Sequence, residues 1–264
     1  MYIPVYTVYT YVYIYTFFST AYILADLGYD VWLGNARGNT YSRSHVSLSP
    51  DDLKFWNFSF HEMGVYDLPA SLNWVLNITG RDKLFYVGHS MGTTMFFVMA
   101  STLPQYNDKI QLMVGLAPVA FVEHIKSPIR LLAPFTKDVE TLLPVILGHS
   151  PAGSSTKTII HYAQEIKSGK FQPYIEDASN IVTEYDLSKI TAPIDIFYAD
   201  NDWLASPVDV KRLAVKLNQT AGINRIAFDK FNHVDFVWAK DAFSLVYEKV
   251  LQDLEKYEAG QTRL

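Results

Sequence analysis

The chain has 264 residues, of which 49% are hydrophobic, 15% aromatic and 19% charged, enough apolar side chain for one large globular domain with its own core. A formal net charge of −5 supplies no basic field to draw a phosphate backbone to the surface, which speaks against nucleic-acid binding. With no cysteine, disulfide scaffolds, thiolate metal sites, iron–sulfur clusters and cysteine nucleophiles are excluded.

Residues 1–20, MYIPVYTVYTYVYIYTFFST, carry no charged side chain, and the first basic residue is Arg37. A secretory signal has a basic start and a compact Leu/Ala-rich centre, so this stretch is not a convincing signal peptide. Stable membrane anchoring is not expected either, because repeated Tyr hydroxyls would need partners inside hydrocarbon. Tyr, Val, Thr and Ile alternate from Val5 to Thr16, which predicts β-strand. A TA/TG/CA nucleotide repeat would encode the same composition, so the segment reads either as a substitute strand or as a mis-assigned start.

From Ala21 the texture is that of an alternating α/β domain. AYILADLGYD predicts a short helix ending near Gly28, and Asp30–Gly34 a buried strand. A helix over His61–Leu76 leads through the NITG turn to a strand over Lys83–Gly88. The next helix, MGTTMFFVMASTL, is apolar around most of its circumference, as expected of a helix packed close against a sheet. A strand over Ile110–Pro118 precedes a Pro-punctuated helical stretch from about Phe121 to Lys189. The pattern then resumes with a strand over Ile194–Asp200, a helix over Pro207–Asn218, a strand over Asn224–Lys230 and a terminal helix from about Val237 to Tyr257. Strands separated by helices imply an α/β class fold with a mainly parallel sheet. The core is expected in residues 21–120 and 190–264, with 121–189 inserted between.

Gly88-His89-Ser90-Met91-Gly92 is a G-x-S-x-G motif between a buried strand and a helix, the setting in which a strained turn lifts a serine hydroxyl above a sheet. A Cβ at either glycine would collide with the neighbouring strand or helix. A serine hydroxyl is a weak nucleophile, so it needs a histidine base, and the imidazole needs an orienting carboxylate. This fold supplies them in the order Ser, acid, His. Asp202 follows a strand end on the face where sites of parallel sheets gather. Asp200 sits closer to that strand end, and spacing alone does not separate the two. His233, in FNHVDF, follows the next strand and precedes the last helix. His89 reads as packing at the elbow, and Asp235 as a cap or brace for the final helix. His45, His61, His124, His149 and His161 fall on the wrong side of the topology or within the insertion. No His/Asp/Glu set has metal-ligand spacing and no Gly-rich phosphate loop occurs, so neither metal nor cofactor is expected.

The stretches GYDVWLGNARGNTYSRSH, FWNFSFHEMGVYDLPA, YVGHSMGTT, LLPVILGHSPAGSSTKTIIHYAQEIKSGKF, EYDLSKITAPI, NDWLASPVDV and FNHVDFVWAKDA resemble the blocks of the acid lipase family of α/β hydrolases, which includes gastric and lysosomal acid lipases and many insect lipases. The resemblance runs from about Ala21 to about Leu251. It implies the α/β-hydrolase fold with a helical cap, and hydrolysis of triacylglycerols or cholesteryl esters at a lipid–water interface. It places the catalytic residues on Ser90, Asp202 and His233, favouring Asp202 over Asp200, and an oxyanion-binding N–H on Met91. It also implies a secreted or lysosomal glycoprotein, in keeping with sequons at Asn57, Asn77 and Asn218.

Two departures from the family carry expectations of their own. A His-Gly loop that supplies the second oxyanion N–H has no counterpart in residues 1–20, which hold neither glycine nor histidine. Residues Val8 to Phe17 are expected to fill the sheet position between the strands at Asp30–Gly34 and Lys83–Gly88, with Phe18 to Thr20 lending an N–H. The cap looks shortened between APFTKDVE and TLLPVILGHS, and Phe121, Leu131, Leu132 and Phe135 are expected to wall the acyl chain. The leading reading is a lipase acting through an acyl-serine. Its rivals are a catalytically impaired lipid-binding relative or incomplete gene product, and another serine hydrolase such as a thioesterase or peptidase, since an elbow does not define a substrate.

Overall fold

A computed structural model describes residues 4–8, 20–126, 154–177 and 182–261. Among these, six strands form a single sheet: β1 (Pro4–Val8), β2 (Asp30–Gly34), β3 (Leu84–His89), β4 (Ile110–Leu116), β5 (Ile194–Tyr198) and β6 (Thr220–Arg225). The order across the sheet is β2-β1-β3-β4-β5-β6, and every pairing is parallel. Parallel strands covered on both faces read as continuous apolar runs. LFYVGH of β3 and IQLMVGL of β4 are accordingly buried at every position.

The place between β2 and β3 is filled by Pro4–Val8, with Val5 opposite Val31 on one side and Phe85 on the other. The strand expected there, Val8 to Phe17, overlaps the observed one only at Val8; its remainder lies outside the described residues. The alternating Tyr/Val/Thr pattern spans more residues than one strand needs, so it did not fix which five would pair.

Helices cover both faces. α1 (Thr20–Asp26) leads into β2. α2 (Phe60–Glu62), opened by a capping box of Ser59 and Glu62, runs through a π-helical turn (Met63–Asp67) into α3 (Leu68–Thr79). α4 (Met91–Thr102) is buried from Gly92 to Ser101. In the insertion, α5 (Thr156–Ser168) starts on Ser155, whose side chain accepts the Lys157 N–H, and ends at Gly169 with φ +66°. α6 (Pro207–Lys216), α7 (Asp235–Trp238) and α8 (Glu248–Gln261) complete the set. Among the described residues no helix is long and apolar enough to cross a membrane.

Two predicted spans move. The last strand is Thr220–Arg225 rather than Asn224–Lys230, because pairing with β5 begins at Thr220 opposite Ile194 and the chain turns at Phe228–Phe231. As an edge strand it alternates between half-buried and exposed residues, a weaker signal than the apolar Ile226–Phe228 that follows. The terminal helix is divided: α7 ends at Ala239, whose ψ of 139° is extended, and a π-helical turn at Phe243–Tyr247 precedes α8.

Far from the elbow in sequence, Asp195 of β5 is buried and hydrogen-bonds Asp253 of α8. Asn224 Nδ2 donates to Asp195 Oδ1 at 2.6 Å, and Lys249 donates to Asp253. Both Oδ2 atoms are buried with no further partner, the arrangement of two carboxyl groups sharing one proton. Burial, then the bond to Asp253, raises the Asp195 carboxyl from 3.8 to about 7. A carboxyl raised in the folded state contributes stability that is fully present below its unfolded value and lost as pH rises through the folded one. Asp195→Asn keeps an acceptor for Asn224 and offers an N–H to Asp253. Its Tm should match wild type near pH 4 and exceed it at pH 8 by a few degrees, at about 2–4 °C per kcal/mol; differential scanning calorimetry across that range checks this.

Candidate active site

The segments that leave the carboxyl ends of β3, β5 and β6 bring Ser90, Asp202 and His233 together. Ser90, between β3 and α4, has φ +54° and ψ −122°, a backbone that L-residues adopt only under constraint. The constraint is visible: Ser90 N–H donates to Leu116 O at 3.1 Å, and Ser90 O accepts from Thr93 N–H at 2.9 Å and Thr93 Oγ1 at 2.6 Å. Gly88 is required beside it, since a Cβ there would lie 3.1 Å from Gly92 C, 3.2 Å from Thr93 N and 2.9 Å from the Tyr86 ring.

His233 Nε2 lies 2.7 Å from Ser90 Oγ, and His233 Nδ1 lies 2.9 Å from Asp202 Oδ2 and 3.1 Å from Oδ1. A carboxylate only accepts, so Nδ1 carries the hydrogen and Nε2 is left to take the serine proton. Asp202 is fully buried, and its Oδ1 also accepts the N–H groups of Leu204 and Ala205, each at 2.8 Å. These bonds stabilise its negative form in a dry setting. Asp200, which spacing could not separate from Asp202, is half-exposed and pairs with Arg225 at 2.6 Å. Asp235 accepts the Asn232 N–H at 2.8 Å and opens α7.

Met91 is the first residue of α4. The first N–H groups of a helix have no acceptor within it and point outward with the positive end of the helix dipole. A negative oxygen formed near Ser90 would meet that N–H. Phe18 and Ser19, expected to lend another, lie outside the described residues; Thr20 is the buried first residue of α1.

A cavity of about 170 Å³ opens from Ser90 and Met91 and is walled by Val119, Val122, Ile125, Ile159, Tyr162, Ala163, Ile166 and Leu204. Ile159, Tyr162, Ala163 and Ile166 recur at the i, i+3, i+4, i+7 positions of α5, one face of a helix. That spacing was the signal in the sequence that could have found this wall. The residues named for it fare differently. Phe121 is not among the walls: its ring is buried against Phe171, with the Arg212 guanidinium 4.1 Å from the ring centroid. Leu131, Leu132 and Phe135 lie outside the described residues. Tyr162 reaches past the cavity to Thr94 at 2.9 Å, and Thr94 donates to Val119 O at 2.7 Å.

Of the other histidines, His161 is buried against Phe60, with Nε2 donating to Gln172 O at 2.8 Å, and burial pushes it down to about 3. His61 bonds Tyr185 at 2.7 Å and His124 bonds Asp209 at 2.8 Å.

A family model for the α/β hydrolase fold matches residues 11–140. Lipase 1 of Drosophila melanogaster is 39% identical over 92% of this chain and 67% of its own length. Gastric triacylglycerol lipase of Rattus norvegicus is 38% identical over 88% of this chain and 73% of its own. Lysosomal acid lipase/cholesteryl ester hydrolase of Macaca fascicularis is 31% identical over 91% and 74%. Among solved structures, a monoacylglycerol lipase of Paleococcus ferrophilus superposes with a TM-score of 0.60 at 15% identity, covering 96% of this chain and 94% of that one; this likeness is one of fold. The chain belongs to the acid lipase family of α/β hydrolases.

Gly88→Ala tests the elbow packing. The added methyl would crowd the Tyr86 ring at 2.9 Å and backbone atoms at 3.1 and 3.2 Å, and overpacking of this kind costs about 1–3 kcal/mol. Denaturant unfolding should show the loss as a lower midpoint with an unchanged slope.

Proposed function

We propose that the chain is a carboxylic ester hydrolase that cleaves acylglycerols or cholesteryl esters through an acyl-serine intermediate. The observation that carries this reading is the continuous hydrogen-bonded line from Ser90 through His233 to Asp202, opening onto an apolar cavity. Relatives named gastric triacylglycerol lipase and lysosomal acid lipase/cholesteryl ester hydrolase support the lipid class. They also support a secreted or lysosomal location. The sequon asparagines Asn57, Asn77 and Asn218 are all exposed, as glycan attachment in the secretory pathway requires.

In this mechanism the Ser90 hydroxyl gives its proton to His233 Nε2 as Oγ attacks the ester carbonyl carbon. Asp202 stabilises the imidazolium that forms, and the Met91 N–H receives the oxyanion. His233 then hands the proton to the departing alcohol. Water enters and gives a proton to the same nitrogen as its oxygen bonds the acyl carbon; the bond from Ser90 Oγ to that carbon then breaks, Oγ takes the proton back from His233, and the fatty acid leaves. The acyl chain lies in the cavity between α4 and α5, where burial of each methylene contributes about 0.8 kcal/mol.

Fluorophosphonate labelling of the folded chain should modify Ser90 and vanish in Ser90→Ala. Asp202→Asn should lower kcat by about 10⁴-fold, because the amide favours the wrong imidazole tautomer. A folded chain that takes no label would overturn this reading in favour of a catalytically impaired relative or an incomplete gene product. The cavity generates a separate expectation. Ala163→Phe fills its wall, so the ratio of kcat/KM for long over short acyl esters should fall about tenfold or more. A chain-length series of p-nitrophenyl esters measures it.

A further inference from the structure

His89 neighbours Ser90 in sequence, yet its ring is bonded to the loop that carries His233. His89 Nε2 lies 2.8 Å from the backbone carbonyl oxygen of His233, a contact between residues 144 apart in the chain. The two imidazole rings lie 4.9 Å apart at 43°, and the Phe236 ring lies 6.4 Å from that of His89. A carbonyl oxygen can only accept, so Nε2 must bear the hydrogen. His89 is therefore more than a ring filling space at the elbow.

The base needs two restraints to reach Ser90. Asp202 orients the imidazole through Nδ1, which sets the rotation of the ring. The main chain bearing that ring belongs to the loop between β6 and α7 and must be held by something else. We propose that His89 is a positioning residue of the reaction, its Nε2–H holding the main chain of His233 where the imidazole reaches Ser90. The inference rests on the reading of Ser90 and His233 as nucleophile and base.

The chemistry of the donor suits the task. Burial first, then the charge on His233, pushes the His89 imidazole down to about 3. His89 thus stays a neutral donor through the cycle while its neighbour gains and loses a proton. A lysine or arginine in its place would set a permanent positive charge beside the base and oppose the imidazolium. A carboxamide would not. The side-chain amide of glutamine can present a neutral N–H from about the same distance along the side chain as the histidine Nε2. Leucine preserves apolar bulk and presents no donor.

The test compares wild type, Ser90→Ala, His89→Leu and His89→Gln on a soluble short-chain ester, with labelling rates by a fluorophosphonate and circular dichroism of each. For His89→Leu we expect kcat to fall about ten- to a hundredfold, the range a small misplacement of a reacting group produces, with KM little changed. His89→Gln should restore kcat to within roughly fivefold of wild type. Equal losses in the two variants, or full activity in His89→Leu, would overturn the inference. Activity surviving in Ser90→Ala would instead overturn the catalytic reading beneath it, so the two failures are distinct. Nitrogen-15 spectra of the histidines in wild-type protein serve if His89→Leu does not fold. An Nε2–H tautomer unchanged between about pH 4 and pH 8 is expected, and an Nδ1–H tautomer or a titration in that range refutes the proposed bond.

Discussion

The strained backbone of Ser90 is the constraint around which the molecule is arranged. A non-glycine residue in such a conformation costs about 1–3 kcal/mol and persists only where its surroundings over-determine it. Here the surroundings are the two fully buried central strands. β4 supplies Leu116 O for the Ser90 N–H, and β3 supplies Tyr86, whose hydroxyl reaches over the turn to Gly92 O at 2.8 Å. α4 must lie close to the sheet for these bonds to form, which is why its residues are small or apolar on every side. The absence of charged side chains on α4 is thus a consequence of the elbow as well as of core packing.

A second strained residue stands on the neighbouring strand. Ala117, just past β4, has φ +49°, and its N–H donates to Phe197 O on β5. The chain then turns so that Val119 bonds α4 twice: its N–H donates to Thr93 Oγ1 at 2.8 Å and its carbonyl accepts from Thr94. Thr94 in turn bonds Tyr162 of α5. Through these two threonines α4 secures the elbow on one side and the insertion on the other. The cavity lies between them, so its walls and the serine are referenced to the same helix.

The sequence made the order of Ser90, Asp202 and His233 legible, because G-x-S-x-G is a local steric requirement and the partners must follow successive strands. It could not separate Asp200 from Asp202 by spacing, since both sit within four residues of the end of β5. The difference is made by partners distant in sequence: Arg225 draws Asp200 outward, while the N–H groups of Leu204 and Ala205 hold Asp202 inward. Phe121 was named for the acyl wall on its hydrophobicity, which marks burial without direction. Its ring serves a contact with Phe171 and Arg212. The place of β1 was legible only through the resemblance, whose sheet has a strand between β2 and β3, and its residues were not, because a repeating Tyr/Val/Thr stretch pairs equally well in several registers.

The buried titratable groups divide into two sets that pull against each other. Glu165, on α5 and buried, has its carboxyl pushed well above the usual range by desolvation, and Asp195 is raised to about 7. Both contribute stability present at low pH and lost as pH rises through their folded values. His89 and His161, lowered to about 3 by burial, contribute stability present above their ordinary value and lost as pH falls toward the folded one. Between the unfolded value of the carboxyls and that of the histidines the two windows overlap: as pH rises there the carboxyl contribution falls while the histidine contribution grows. Opposed slopes flatten the dependence of stability on pH. Glu165 lies on the cavity-lining helix, and His89 lies against His233. The fold can therefore keep these groups uncharged without tying its own persistence to one narrow range of acidity.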